Sequence, residues 1–427
     1  MKANVKPVEM LYEASQTTLG LIEGAVPKHE MQILKSFFRC MESNLRIKLE
    51  QIAEGKPIIG HHFAFPSEVF SCFDAVPICV EAISYLFSAL FTTGSEKYYD
   101  LANSWGHPYH SCTSQKGMIG MALEHNFIDF DVIAIPSAPC DNTIASYQFF
   151  SEHLNIPTIV ADMPYYHNSR GYEYYSNELE SMIQELSTIL NQEPNYERLR
   201  QSIIYSNHAV ENLAEINNLR RSIPCPVESV FNPIGSAVQN FFSGQVEKEI
   251  FYNEVLEIAR ERVRTKKAWR ETDERVRSFW PYMSVFFDIT FCEWLDRKLG
   301  MPIVTDIFNY FFFGPIKNIE SLDTKGMIDG LAYQSMEYPM VRQSESFASV
   351  FFEDAVNLAH QFSADCAIFT AHIGCKQSAS MIQLMREILK EEVGIPMLTI
   401  EMDIGDKRMT SLETIKKKVL EFTQTLL

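Results

Sequence analysis

Long apolar runs are missing from this sequence. The greasiest stretches, "YLFSALF" and "IFNYFFFG", fall far short of the about 20 residues that a membrane-crossing helix needs. The start, "MKANVKPVEMLYEASQ", has no apolar core of signal-peptide length. Both absences point to a soluble, cytoplasmic protein with no membrane partner. Positive charge is also scarce: 37 Lys and Arg stand against 55 Asp and Glu, a formal net charge of −18. Such a chain repels phosphate backbones, which argues against nucleic acid as a partner. No two of the nine cysteines, at 40, 72, 79, 112, 140, 225, 292, 366 and 375, are in C-x-x-C spacing. An odd total in a large unexported chain argues against a disulfide framework and for reduced thiols. There is no G-x-x-x-x-G-K-S/T phosphate loop, no G-x-G-x-x-G after a strand, no H-E-x-x-H and no G-x-S-x-G. The chain shows no nucleotide site of its own, so ATP, where involved, falls to another protein.

A chain of 427 residues is long enough for two or three domains. Residues 1–56 read as a helical lead-in, with "MQILKSFFRCMESNLRIKLEQIAEG" apolar at helical spacing up to Gly55. From "KPIIGHHFAF" onward strand-like runs alternate with helical ones, the pattern of parallel sheets covered by helices. This predicts an α/β fold of two Rossmann-like lobes, at 57–190 and 277–427. A polar, charge-rich passage at 191–276, running to "ARERVRTKKAWRETDERVR", reads as a connector of long helices.

The lobes echo each other. Asp131 opens "VIAI", Cys140 follows, and then come a helix and "NIPTIVADMP"; Asp365 opens "CAIF", Cys375 follows, and then come a helix and "GIPMLTIEMD". Each lobe carries a strand, cysteine, helix, strand unit. In open parallel sheets, ligands sit beyond the carboxyl ends of strands, where Cys140 and Cys375 are predicted. Cys112, in "GHPYHSCTSQKGMIG", lies in a loop before a helix. Three thiols on loops facing one cleft suit an iron–sulfur cluster, because thiolates are soft ligands and a helix N-terminus favours the anion. Three ligands for four irons leave one iron open to a substrate oxygen. Two other readings stand beside this one. One of the thiols can serve as a nucleophile, with His107, His110 or His372 as base, or all three can be small buried apolar side chains, as expected for the other six cysteines. The pair His61 and His62 in "GHHF" is a weaker metal candidate, since neighbours on a strand point to opposite faces.

"FAFPSEVFSCFDAVPICVEAI", "CTSQKG", "AIPSAPCDN", "IPTIVADMP", "DCAIFTAHIGCKQ" and "GIPMLTIEMDIGDKRMTSLETIKKKVLEF" resemble, in that order, the landmarks of the 2-hydroxyacyl-CoA dehydratase and benzoyl-CoA reductase family, over residues 57–427. The resemblance implies flavodoxin-like lobes holding a four-iron four-sulfur ([4Fe-4S]) cluster. It implies an acyl-CoA substrate and a homologous partner subunit in a heterodimer, or a homodimer. A separate ATP-dependent activator protein would deliver one low-potential electron, which reaches the thioester carbonyl and makes a ketyl able to expel an α-hydroxyl.

Carried over by position, the cluster ligands are Cys112, Cys140 and Cys375. Many relatives have Cys-Pro where this chain has Cys112-Thr113, while the lysine at 116 is kept. Glu68 in "FPSEVF" matches a glutamate that handles a proton of the leaving hydroxyl; an acid there also suits the first turn of a helix starting near Ser67. His62 is a candidate polar group facing the open iron. "EMDIGDKR" reads as a plain strand-to-helix link. Dehydratase (a lyase) and aromatic ring reductase (an oxidoreductase) both remain open. So do a homodimeric double-cluster reductase of small molecules and a cluster-free bilobed binding protein.

Overall fold

The computed structural model describes residues 3–25, 30–91, 95–125, 127–266 and 273–427. Two four-stranded, all-parallel sheets form the frame of an α/β fold with two lobes. The first contains β1 (Ile58–His61), β2 (Val76–Cys79), β3 (Val132–Pro136) and β4 (Thr158–Ala161), in the order β2-β1-β3-β4. The second contains β5 (Ser278–Trp280), β6 (Ile303–Asp306), β7 (Cys366–His372) and β8 (Met397–Met402), in the order β6-β5-β7-β8. Shifting the first order by four gives the second, so the lobes share a doubly wound topology with its crevice beside the central strands. β1, β3 and β7 are buried along their whole length, as central strands covered on both faces must be.

The sequence echo has a structural counterpart. Asp131 takes the Ile58 N–H on its carboxylate at 2.7 Å and returns its own N–H to the Ile58 carbonyl. Asp365 does the same with Arg277, also at 2.7 Å. In both lobes the acid before the third strand closes the entrance to the first.

Helices Ser169–Leu190, Tyr196–Arg220, Phe231–Phe241 and Val246–Thr265 lie between the sheets in sequence. The charge-rich helix expected to reach the second lobe stops at Thr265; residues 267–272 lie outside the described residues. Arg275 and Val276 are then not helical, because both donate their backbone N–H to the Gly300 carbonyl at the approach to β5. Helix Thr324–Met336, from beyond β6, buries Met327 and Leu331 in the same core as Leu179 and Ile183 of Ser169–Leu190, bridging the lobes.

In the lead-in, of which residues 1–2 and 26–29 lie outside the described residues, helices Lys6–Ala25 and Gln32–Ala53 share a core with the first lobe through Leu11, Phe38 and Leu45. Gly20 sits exposed inside the first of these helices with open space where a Cβ would be. Gly20→Ala is expected to raise the urea midpoint, gaining about 0.5–1 kcal/mol from the lost backbone freedom of glycine; no gain would mean that the helix is not formed at that point. Among the described residues, no helix is long and apolar enough to cross a membrane.

Candidate functional site

Cys112, Cys140 and Cys375 each occupy the residue before the first turn of a helix: Thr113–Leu123, Asp141–His153 and Lys376–Ile388. Cys140 follows β3 and Cys375 follows β7, equivalent places in the two lobes. The first N–H groups of a helix have no partners inside it and carry its positive dipole end, so each of the three cysteines sits at the positive end of a helix. All three line one cleft of about 890 Å³.

Contacts across the lobes hold the loops together. Asn142 Nδ2 donates to the Gly374 carbonyl at 3.2 Å, Lys376 pairs with Asp141 at 2.8 Å, and Gln377 Nε2 reaches the Pro139 carbonyl at 3.4 Å.

Residues 403–408 are not a plain link. Asp403 accepts from Thr113 Oγ1 at 2.5 Å and from the N–H groups of Gly405 and Asp406 at 2.8 and 2.9 Å. Ser88 Oγ donates to the Gly405 carbonyl, and Arg408 grips Asp100 with two bonds of 2.9 Å. The segment after β8 therefore clamps the second lobe onto the helix that begins at Cys112, an arrangement of long-range partners that local composition does not encode.

Burial pushes the Cys112 thiol up, and the neighbouring Cys140 adds to it; burial likewise raises Cys140. Three adjacent thiolates in this cleft need positive charge beside them, which metal ions provide and a lone nucleophile would not have. The six other cysteines are buried, and none lines the cleft.

His62 is fully buried behind the cleft wall. Its Nδ1 accepts from the Ala64 N–H at 3.1 Å, so the ring proton lies on Nε2, 3.0 Å from Thr143 Oγ1 and 3.4 Å from Glu81 Oε1. Thr143 in turn touches Cys140 Sγ at 3.4 Å and receives Gln115 Nε2 at 3.1 Å. Burial pushes His62 down to about 3 and Glu81 up to about 8, so at neutral pH this pair is uncharged. Neither Glu81 oxygen makes a well-formed hydrogen bond among the described residues, although Tyr147 and Gln115 are close enough to temper the effect of burial. Also buried, lining the cleft and without a hydrogen-bond partner among the described residues are His372 Nε2, Tyr282 Oη and Gln115 Oε1.

Glu68 stands apart from the three cysteines. It lies in the first turn of the 3-10 helix Ser67–Cys72, accepting from Ser206 Oγ at 2.5 Å and Ser243 Oγ at 3.0 Å. It lines an adjoining hollow of about 410 Å³ with Lys248, and Tyr338 lines both spaces. Sequence reasoning missed Glu81, Thr143, Gln115, Tyr282 and Asp403. Glu81 had a signal, an acid inside the apolar run "VPICVEAISYLF"; Thr143 had another, three residues after Cys140 on a helix start.

Among the described residues, no group of three or more His, Cys, Asp or Glu can hold a single metal ion. A four-iron cube asks for something different, thiols spaced around a cavity so that each meets its own corner.

No curated protein matches this chain. A family model described as 2-hydroxyglutaryl-CoA dehydratase, D-component, matches residues 62–426, from the end of β1 to the C-terminal helix, with all three cleft cysteines inside it. By that match, the chain belongs to the 2-hydroxyglutaryl-CoA dehydratase D-component family.

Proposed function

We propose that this chain is the iron–sulfur subunit of an ATP-activated 2-hydroxyacyl-CoA dehydratase, a cytoplasmic lyase that passes a low-potential electron to an acyl-CoA thioester. The observation that carries the reading is the convergence of three helix-start cysteines from both lobes on one cleft. Cys112, Cys140 and Cys375 would hold a [4Fe-4S] cluster, which supplies one-electron chemistry and an open iron as Lewis acid. The unpartnered His372 Nε2 and Tyr282 hydroxyl can donate to the oxygens of a hydroxyacyl thioester, and Gln115 Oε1 can accept from its hydroxyl. Glu81, uncharged and backed by His62, is a proton source on the cleft wall. Thr143 orients the Cys140 sulfur and the His62 ring together. Glu68, with its two serines, orders the adjoining hollow and handles protons there. As a component, the chain works with a homologous partner subunit and a separate ATP-hydrolysing activator, consistent with the missing phosphate loop.

The test is iron and acid-labile sulfide content, with the visible spectrum, of protein purified without oxygen. About four irons per chain are expected, lost in Cys112→Ser, Cys140→Ser and Cys375→Ser but kept in Cys366→Ser, whose thiol is in the core. Iron-free wild type that stays folded after reconstitution would overturn the reading.

A further inference from the structure

Apart from the cysteine loops, six rings line the cleft, Phe63, Tyr85, Tyr282, Phe286, Phe308 and Tyr338, and the Gln239 and Asn240 amides beside them already donate to the Phe308 carbonyl at 3.1 Å and the Tyr85 hydroxyl at 3.3 Å. Met283 and Met340 fill in between them, and thioether side chains adapt their shape to a neighbouring ring. Among the described residues, no Lys or Arg lines it.

The cations nearest in sequence to the lining residues are engaged elsewhere. Lys116, one residue past Gln115, is buried with its Nζ donating to the Tyr109 carbonyl at 2.6 Å. Lys376, next to Cys375, pairs with Asp141. Arg342, two residues past Met340, is held between Glu337 and Asp354. In the adjoining hollow, Lys248 already has the Glu68 carboxylate as counter-charge. The Nδ1 edge of His372 faces the Ile404 N–H at 3.3 Å and Asp403 Oδ2 at 3.8 Å, so a proton carried there is already matched by a carboxylate.

We propose that the acyl group this cleft accepts is uncharged, apolar and ring-sized, and that the dicarboxylic acyl group in the matched family's description is disfavoured here. The argument rests on the reading of the cleft as an acyl-CoA site. A second carboxylate would enter a ring-lined space with no cation to replace its water, and a buried unpaired charge is strongly disfavoured. A phenyl or comparably bulky apolar group instead meets offset and edge-on ring faces.

The experiment is calorimetric binding to the full chain, purified without oxygen, of 2-hydroxy-3-phenylpropionyl-CoA, 2-hydroxyglutaryl-CoA and free CoA. The phenyl ester is expected to bind tighter than the dicarboxylic one by on the order of a hundredfold. Phe286→Arg, at a half-buried position that tolerates a long side chain, should shrink or invert that preference. Equal or tighter binding of the dicarboxylic ester by wild type overturns the inference and leaves the proposed function standing. If neither ester binds better than free CoA, the acyl-CoA reading of the cleft falls, and this inference with it.

Discussion

Glu81→Gln stabilises the protein at neutral and alkaline pH and leaves it unchanged in acid. The ordinary carboxyl value of 4.5 rises to about 8 in the fold because the side chain is buried. Between those two values the folded protein keeps a proton that the unfolded chain releases. The contribution of Glu81 is therefore fully present below pH 4.5 and is lost as pH rises through about 8. At about 1.4 kcal/mol per pH unit, the variant gains about 3 kcal/mol at pH 7 and nearer 5 above pH 8, while Gln matches the protonated acid below 4.5. Urea midpoints of the two proteins from pH 4 to 9 measure this directly, and the difference isolates Glu81 from other titrating groups. The histidines behind it act in the opposite sense: burial lowers both His61 and His62 to about 3, so their contribution is present above 6.5 and fades as pH falls through 3. A difference that stays flat across this range would mean that Glu81 is solvated and is not the uncharged acid of the cleft.

Gly374→Ala pushes the two lobes apart at the cysteines. A Cβ built there lies 2.7 Å from the Cys112 Cα, 2.8 Å from the Cys112 nitrogen and 2.8 Å from His372 Nε2. Two of these are backbone atoms of the other lobe, so no rotamer change relieves the contact. Overpacking of this kind destabilises by about 1–3 kcal/mol. Because Gly374 precedes Cys375, the shift separates Cys375 from Cys112, and under the proposed cluster reading iron content falls along with stability. Gly20→Ala, with nothing within 4 Å, is the control in which the same added methyl group stabilises. An alanine variant with wild-type stability and full iron content would show that the loops do not approach this closely in solution.

Much of the frame was legible in the sequence. The apolar runs at 58–60, 132–136 and 366–369 announce strands covered on both faces, because alternation is needed only where one face meets water. Asp131 and Asp365 marked the duplicated unit, although their matching bonds to the start of the first strand of each lobe span 73 and 88 residues and belong to the tertiary structure. The cysteines stood out because strand ends and helix starts are short-range features, and the six quoted landmarks led to the family that the match over 62–426 establishes.

Other features depend on which distant segments meet. The run 403–408 looked like a link until Thr113, Ser88 and Asp100 came within its reach. Helix Thr324–Met336 gave no sign that its apolar face belongs to a core shared with Ser169–Leu190. Glu68 and Glu81 are both acids in apolar company, and their sequences alone do not rank them. Ser206 from a remote helix and Ser243 from a remote turn satisfy Glu68, whereas Glu81 is sealed against the His62 ring with no well-formed bond among the described residues. By itself, the sequence determined strands, helix starts and thiol positions, which follow from spacing along the chain, and the family, through the resemblance of its landmarks. Only the tertiary structure decided which acid shares the cleft with the thiols and that no cation lines it among the described residues, because desolvation and charge pairing are set by neighbours far apart in sequence.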